Sequence, residues 1–130
     1  MLALFVSLHW GIFMTKKPKY YYIASMDIEP EKETLLNEVY DTEHIPALLR
    51  VPGVSSITRS VARPFDMSMG GKTYTVNIDD EPKYSATYEI ESPEVLVSSA
   101  WAEAVESGRW PEKVRPYTSN RRQVLRKIIS

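Results

Sequence analysis

The sequence predicts one α+β domain in which a four-stranded antiparallel sheet carries two helices on one face. Four stretches rich in aromatic and β-branched residues predict strands. Two stretches repeat apolar residues every three or four positions, as amphipathic helices do. The order is strand, helix, strand, strand, helix, strand, and right-handed crossovers bring both helices to the same face. With 130 residues, 43% of them apolar, the chain is large enough for one domain with a proper core.

The first strand is predicted at Tyr20–Ile28, where apolar and aromatic residues occupy both alternating faces. This pattern is typical of a central strand that is covered on both sides. Pro30 then begins the first helix, a position that suits proline. The helix buries a stripe of apolar residues at helical spacing: Leu35, Leu36, Val39 and Tyr40. We expect it to end at Pro46, because proline has no N–H to donate and clashes with the preceding turn.

Val54–Val61 is predicted to be the second strand, with Ile57, Arg59 and Val61 on the face opposite Val54. Arg59 is either an anion-binding group or an edge-strand charge that opposes aggregation. The stretch Arg63–Lys83 is a long insertion that predicts a small extra hairpin, and its role as a lid or a mobile loop stays open.

Tyr84–Ile90 is predicted as the third strand, followed by a second helix over Ser92–Gly108 with Ser92 as its N-cap. Its predicted buried stripe is Val97, Trp101, Ala104 and Val105. The last strand is predicted at Ser119–Ile129. Two helices cover only one face of a sheet, so we expect the other face to be covered by a second copy of the chain in a two-fold dimer.

His44 is the main candidate for chemistry. It follows Tyr40 by four residues, which places a phenol and an imidazole on one helix face. Because it continues the buried stripe by one turn, we expect it to face a cavity between the first helix and the sheet. An imidazole there could exchange protons near neutral pH. The alternative is a histidine that only caps the helix or lies at the surface.

The composition argues against several classes of function. The net charge of −1 gives no general attraction to nucleic acid or to anionic lipid. The absence of cysteine excludes disulfides, thiolate metal sites and cysteine nucleophiles. With His9 and His44 as the only histidines, we expect no metal site and no bound cofactor.

Residues 1–15 form an apolar leader that needs a separate interpretation. The run Met1–Met14 is too short to span a bilayer and has no basic residues before its apolar part. We expect Met14 to be the natural start and the leader to be a mis-called extension or a flexible arm, with residues 16–130 forming the domain. A membrane-associating segment and an arm packed on the domain are the alternatives. We expect a cytoplasmic protein without stable membrane insertion.

Several motifs together resemble a known family. They are the pattern Tyr-x3-His-x-Pro-x-Leu-Leu-x-Val-Pro-Gly-Val at Tyr40–Val54, the strand Tyr84–Ile90, and the helix Ser92–Gly108 with Trp110 after it. Over residues 20–128 the chain resembles the EthD-like branch of the dimeric α+β barrel superfamily, whose fold is ferredoxin-like. The resemblance implies two subunits that pair their sheets, a pocket between each sheet and its helices, and a pocket histidine at His44. The long insertion Arg63–Lys83 departs from the family pattern.

The superfamily includes small aromatic monooxygenases, polyketide cyclases and muconolactone isomerase, so the resemblance implies a cofactor-free oxidoreductase, isomerase or cyclase as one possibility. In that interpretation His44 is a general acid or base, Tyr40 assists it, and an apolar or aromatic metabolite binds to a second set of residues: Tyr22, Arg59, Tyr88 and Trp101. The alternatives are a non-catalytic binding or accessory protein and a purely structural interaction module.

Overall fold

A computed structural model of the chain describes residues 18–130, so the predictions for residues 1–15 lie outside the described residues. The predicted α+β architecture is confirmed. The described residues form six strands: β1 (Tyr20–Ile28), β2 (Val54–Val61), β3 (Phe65–Met69), β4 (Lys72–Val76), β5 (Tyr84–Ile90) and β6 (Thr118–Lys127). One helical segment follows β1 and a second follows β5. No helix within residues 18–130 is long and apolar enough to cross a membrane.

Four strands form an antiparallel sheet in the order β2-β5-β1-β6. The two central strands, β5 and β1, are paired from Tyr20 opposite Ile90 to Met26 opposite Tyr84. On the face that meets the helices, they bury Ala24, Met26, Ala86, Tyr88 and Ile90 in the core. The opposite face of β1 presents Tyr21 and Ile23, which are only half buried.

The first helical segment runs through Pro46, so the prediction that it ends there is wrong. Helix α1 (Glu33–Val39) passes through a π-helical turn (Tyr40–His44) into helix α2 (Ile45–Leu49). In the π turn the Ile45 N–H donates to the Tyr40 carbonyl, five residues earlier. Pro46 follows directly after this wider turn, at the start of α2, where the π turn has already interrupted the regular i to i−4 bonding.

The second helical segment is also interrupted, and the predicted cap at Ser92 is wrong. A 3₁₀ turn (Pro93–Val97) precedes helix α3 (Ser99–Val105), and the cap is Ser98, whose side chain accepts from the Trp101 N–H at 3.2 Å. Ser98 has an extended backbone, so the residues before and after it do not share one continuous helical repeat. As a result Val95 is buried, whereas Val97, which was predicted to be in the core, is 85% exposed.

A β-bulge changes one predicted face of β2. The pairing with β5 shifts between Val54 and Ser56, so Val54 lies opposite Ile90 and Ile57 lies opposite Tyr88. Both therefore pack against the core on the helical side, whereas simple alternation predicted Val54 on the other face. The bulge does not affect Arg59, which lies opposite Ala86 on the helical side as well.

The predicted extra hairpin is confirmed as strands β3 and β4, which form their own two-stranded sheet. Gly70 and Gly71 connect them with φ angles of 62° and 78°, a conformation that favours glycine at both positions. Phe65, Met67 and Met69 are all exposed on this hairpin.

Candidate functional site

A cavity of about 210 Å³ lies between the four-stranded sheet and the helical layer. Its lining combines side chains of β1, β5 and β6 with side chains of both helical segments: Tyr22, Ala24, Met26, Tyr40, His44, Tyr88, Trp101, Val105, Trp110, Arg115, Arg121 and Gln123. No aspartate or glutamate is among these residues. The cavity is therefore aromatic in its walls and carries cationic side chains without a lining carboxylate.

His44 lies at the end of the first π turn and is only 5% exposed. Its Nδ1 atom is fully buried and has no hydrogen-bond partner among residues 18–130. Burial, together with the positive charges of Arg115 and Arg121, lowers the pKa of His44 to about 4. The imidazole is therefore neutral at pH 7, with one nitrogen available to accept a hydrogen bond or a proton. The prediction that His44 faces a cavity is confirmed.

Two aromatic side chains hold the imidazole in place. Trp110 stacks on it with a centroid distance of 4.4 Å and an interplanar angle of 24°. Tyr40 meets it edge to face at 5.1 Å, as its position one turn earlier predicted. Trp110 begins a second π turn (Trp110–Val114). The two stacked rings, His44 and Trp110, thus both lie in π-helical turns. Such turns are rare and occur often at functional sites.

A second aromatic group forms the wall on the sheet side. Tyr22 on β1 and Tyr88 on β5 lie opposite each other, with ring centroids 5.3 Å apart. Trp101 of α3 meets both edge to face, at 5.8 Å from Tyr22 and 5.4 Å from Tyr88. These tilted and edge-on contacts are the favoured geometries of aromatic pairs, so the wall is well packed.

The tyrosine hydroxyls in the cavity are protonated at neutral pH. Burial raises the pKa of Tyr40 to about 12. Burial also raises the pKa of Tyr22, and that of Tyr88 still further. These three phenols can therefore donate or accept hydrogen bonds, and none is set up to act as a phenolate nucleophile.

An ion-pair network fastens the two π turns to each other from outside the cavity. The Arg109 backbone N–H and side-chain Nε donate to the two oxygens of Glu43, at 2.9 and 2.5 Å, and its Nη2 donates to Glu38 at 2.8 Å. These bonds hold the pKa of the Glu43 carboxyl below its usual value. Gly108 allows this approach, because its φ is +66° and a Cβ there would lie 2.6 Å from Glu43 Oε1.

The two arginines of the lining differ in their partners. Arg115 donates to both oxygens of Glu106, at 3.1 and 2.5 Å, and to the Val105 carbonyl at 2.9 Å. Arg121, on β6, donates to the Thr118 hydroxyl at 3.1 Å and has no carboxylate partner among the described residues. The charge of Arg115 is thus balanced locally, and that of Arg121 is not.

The structure brings together five of the six residues that the sequence singled out. His44, Tyr40, Tyr22, Tyr88 and Trp101 all line the cavity. Arg59 does not: it donates to Asp41 at 3.0 Å and to Asn37 at 2.7 Å, and its guanidinium lies 4.7 Å from the centroid of the Tyr40 ring. Arg59 therefore contacts the outer side of the Tyr40 ring and braces the first helical segment.

Sequence reasoning missed Trp110 and Arg121. Trp110 was noted only as part of the family pattern, although a large aromatic residue two positions after Gly108 is a signal for packing back onto the core. Arg121 belongs to a strand of mixed arginine and apolar residues, whose alternation identified no face. The residues 18–130 contain no cluster of His, Cys, Asp or Glu that could hold a metal ion.

Comparison with known proteins identifies the fold. No protein-family model and no curated protein sequence matches the chain. Among solved structures, a point mutant of MhuD with two manganese protoporphyrin IX molecules bound per active site is similar, with a TM-score of 0.56 and 13% identity. The alignment covers 85% of this chain and 95% of that one. The fold is thus ferredoxin-like.

Proposed function

We propose that this protein binds a small aromatic or apolar metabolite in the cavity beside His44, with the neutral imidazole accepting a hydrogen bond from it. One observation carries the proposal: His44 lines an aromatic cavity with a neutral imidazole, whose buried Nδ1 has no hydrogen-bond partner among the described residues. Buried polar atoms almost always have partners, and an unpaired one calls for an explanation. Because Nδ1 is fully buried, a ligand hydroxyl or N–H supplies this partner only when the surrounding side chains move aside; otherwise it bonds to the other ring nitrogen.

The size of the cavity limits the ligand. An apolar cavity of about 150 Å³ is enough to hold benzene. A cavity of about 210 Å³ therefore accommodates one aromatic ring with a small substituent. Pockets for drug-sized ligands usually measure about 300–1,000 Å³. A porphyrin, the ligand named for the MhuD structure, is larger than this cavity and would require the aromatic walls to move apart.

Catalysis is a second candidate, because the resemblance to the EthD-like family implies it and because a neutral imidazole can accept a proton. The pKa of about 4 works against strong proton abstraction. A phenol has a pKa of about 10, so transfer of its proton to such an imidazole is uphill by about 8 kcal/mol. Proton transfer to His44 therefore needs a more acidic ligand, or a ligand that raises the pKa of His44 on binding.

Binding is tested with phenol, which has a hydrogen-bond donor, and toluene, which has none. Quenching of tryptophan fluorescence reports on Trp101 and Trp110. Both ligands should bind saturably, and His44→Phe should weaken phenol several-fold while leaving toluene nearly unchanged, because one hydrogen bond is lost and the aromatic stack is kept. Arg122→Gln, which removes a charge on the opposite face of the sheet, is the matched control and should bind both normally. Absence of saturable binding of either compound at millimolar concentration would contradict the proposal.

We also propose that the protein acts as a homodimer of the EthD-like type in the cytoplasm, with the open sheet faces paired. Support comes from the apolar content of that face. Tyr21 and Ile23 are half buried there, and Val124 of β6 is 41% exposed. Covering these residues with a second sheet would remove apolar surface from water.

A further inference from the structure

We infer that the cavity selects aromatic compounds that carry one anionic group, such as a carboxylate, and that Arg121 is the residue that binds this group. The inference rests on the proposed function, since it names the class of ligand that the same cavity would take. It depends on three features of the site: the position of Arg121, the partners of the charged residues around it, and the absence of acidic side chains from the lining.

The position of Arg121 follows from the register of the sheet. On β6, Gln123 lies opposite Ala24 of β1, and Arg122 lies opposite Ser25. Ala24 faces the helical layer, so Gln123 and Arg121 share that face, whereas Arg122 points to the other side. A bulge in the pairing between Ser25 and Asp27 leaves Met26 beside Arg121. Arg121 and His44 consequently line one cavity from opposite layers of the fold.

The partners of Arg121 leave its charge available. Of the two arginines that line the cavity, Arg115 is paired with Glu106, whereas Arg121 has no carboxylate partner among the described residues. In the described part of the chain, the hydrogen-bond partner of Arg121 is the neutral hydroxyl of Thr118. Its five donors form a planar fork that can bind a carboxylate through two parallel hydrogen bonds.

The rest of the lining agrees with an anionic ligand. Within residues 18–130, no carboxylate lies on the cavity wall to compete for Arg121 or to repel an anion. The phenol groups of Tyr22, Tyr40 and Tyr88 stay neutral at pH 7, so they add hydrogen-bond donors without negative charge. A single ring with a hydroxyl at one end and a carboxylate at the other would meet His44 and Arg121 at the same time.

Two probes of equal shape and different charge test the inference: 4-hydroxybenzoate and the neutral 4-hydroxybenzamide. Isothermal titration calorimetry at pH 7 should give wild-type protein a several-fold preference for the benzoate, the size expected for an ion pair with an exposed arginine. Arg121→Gln should abolish the preference while binding the benzamide as before. Arg121→Lys should retain part of it. Arg122→Gln, an adjacent charge removal on the opposite face, should leave the preference unchanged.

Each result separates the two claims. If wild-type protein binds both probes equally, or prefers the benzamide, the inference about Arg121 is overturned and the proposed binding function stands. If Arg121→Gln keeps the preference for the benzoate, Arg121 is not the anion-binding residue. If Arg121→Gln loses both probes, Arg121 shapes the cavity and does not select charge, which also overturns the inference. If neither probe binds to wild-type protein, the proposed function fails together with the inference.

Discussion

Replacing His44 with phenylalanine should remove a specific part of the pH dependence of stability. In the folded protein the pKa of His44 is about 4, whereas a histidine in an unfolded chain titrates near 6.5. As the pH falls below 6.5, the unfolded chain therefore binds a proton that the folded protein does not. The stability contributed by the neutral, buried imidazole is fully present above pH 6.5 and is lost progressively down to about pH 4.

The magnitude follows from the two pKa values. Between pH 7 and pH 5, the free energy of unfolding should fall by about 2 kcal/mol because of His44 alone. The comparison stops at pH 5 so that protonation of carboxylates does not contribute to the change in stability. Interactions with lysine, tyrosine or arginine lower the pKa values of Glu33, Glu43 and Glu106 from 4.5, so these groups affect stability mainly below pH 4.5.

The assay is urea denaturation at pH 7 and pH 5, followed by circular dichroism, for wild-type protein and for His44→Phe. Phenylalanine keeps an aromatic ring against Trp110 and cannot be protonated. His9, which lies outside the described residues, is present in both proteins, so its effect cancels in the comparison. The wild-type stability should fall by about 2 kcal/mol more than that of the variant. Equal changes in the two proteins would refute the assignment of a depressed pKa to His44.

Three further predictions concern the frame around the site. Gly108→Ala should lower the free energy of unfolding by about 1–2 kcal/mol, because Gly108 has a positive φ and its Cβ would contact Glu43. Gly70→Ala is the control, since Gly70 has a positive φ but open space around it, and should cost less. Equal losses in the two variants would contradict the role of the contact with Glu43. Light scattering at micromolar concentration should give the mass of two 14.9 kDa chains, and a single-chain mass would contradict the dimer. A chain that starts at Met14 should melt at the same temperature as the full chain, and a drop of several degrees would mean that the leader stabilises the domain.

The strands and the aromatic wall could be predicted because short-range patterns determine them. Tyr22 and Tyr88 were candidates for the cavity wall on condition that their strands turn those faces toward the helices, and the regular register between β1 and β5 pairs them on that face. His44 was assigned from a single i, i+4 step on an apolar stripe, and that step survives the change from an α turn to a π turn. The insertion was recognised as a hairpin because Gly70 and Gly71 separate two short alternating segments.

The features that the sequence did not predict depend on tertiary contacts. Pro46 lies within the helical segment because the π turn before it has already interrupted the regular i to i−4 bonding, and the stacking of His44 on Trp110 accompanies this turn. The second helix is capped by Ser98 and not by Ser92, and a bulge moves Val54 to the helical face of the sheet. No local pattern in the sequence indicates either change. Arg121 became a site residue only once the register of β6 against β1 was known.

The most direct test of the account is a crystal structure of the protein soaked with 4-hydroxybenzoate. Electron density is expected for one aromatic ring in the cavity, against the wall of Tyr22, Tyr88 and Trp101, with the hydroxyl within hydrogen-bond distance of a His44 nitrogen and the carboxylate on Arg121. An empty cavity, or one closed by its own side chains while the compound binds elsewhere, would contradict the claim that this chain carries a binding site beside His44.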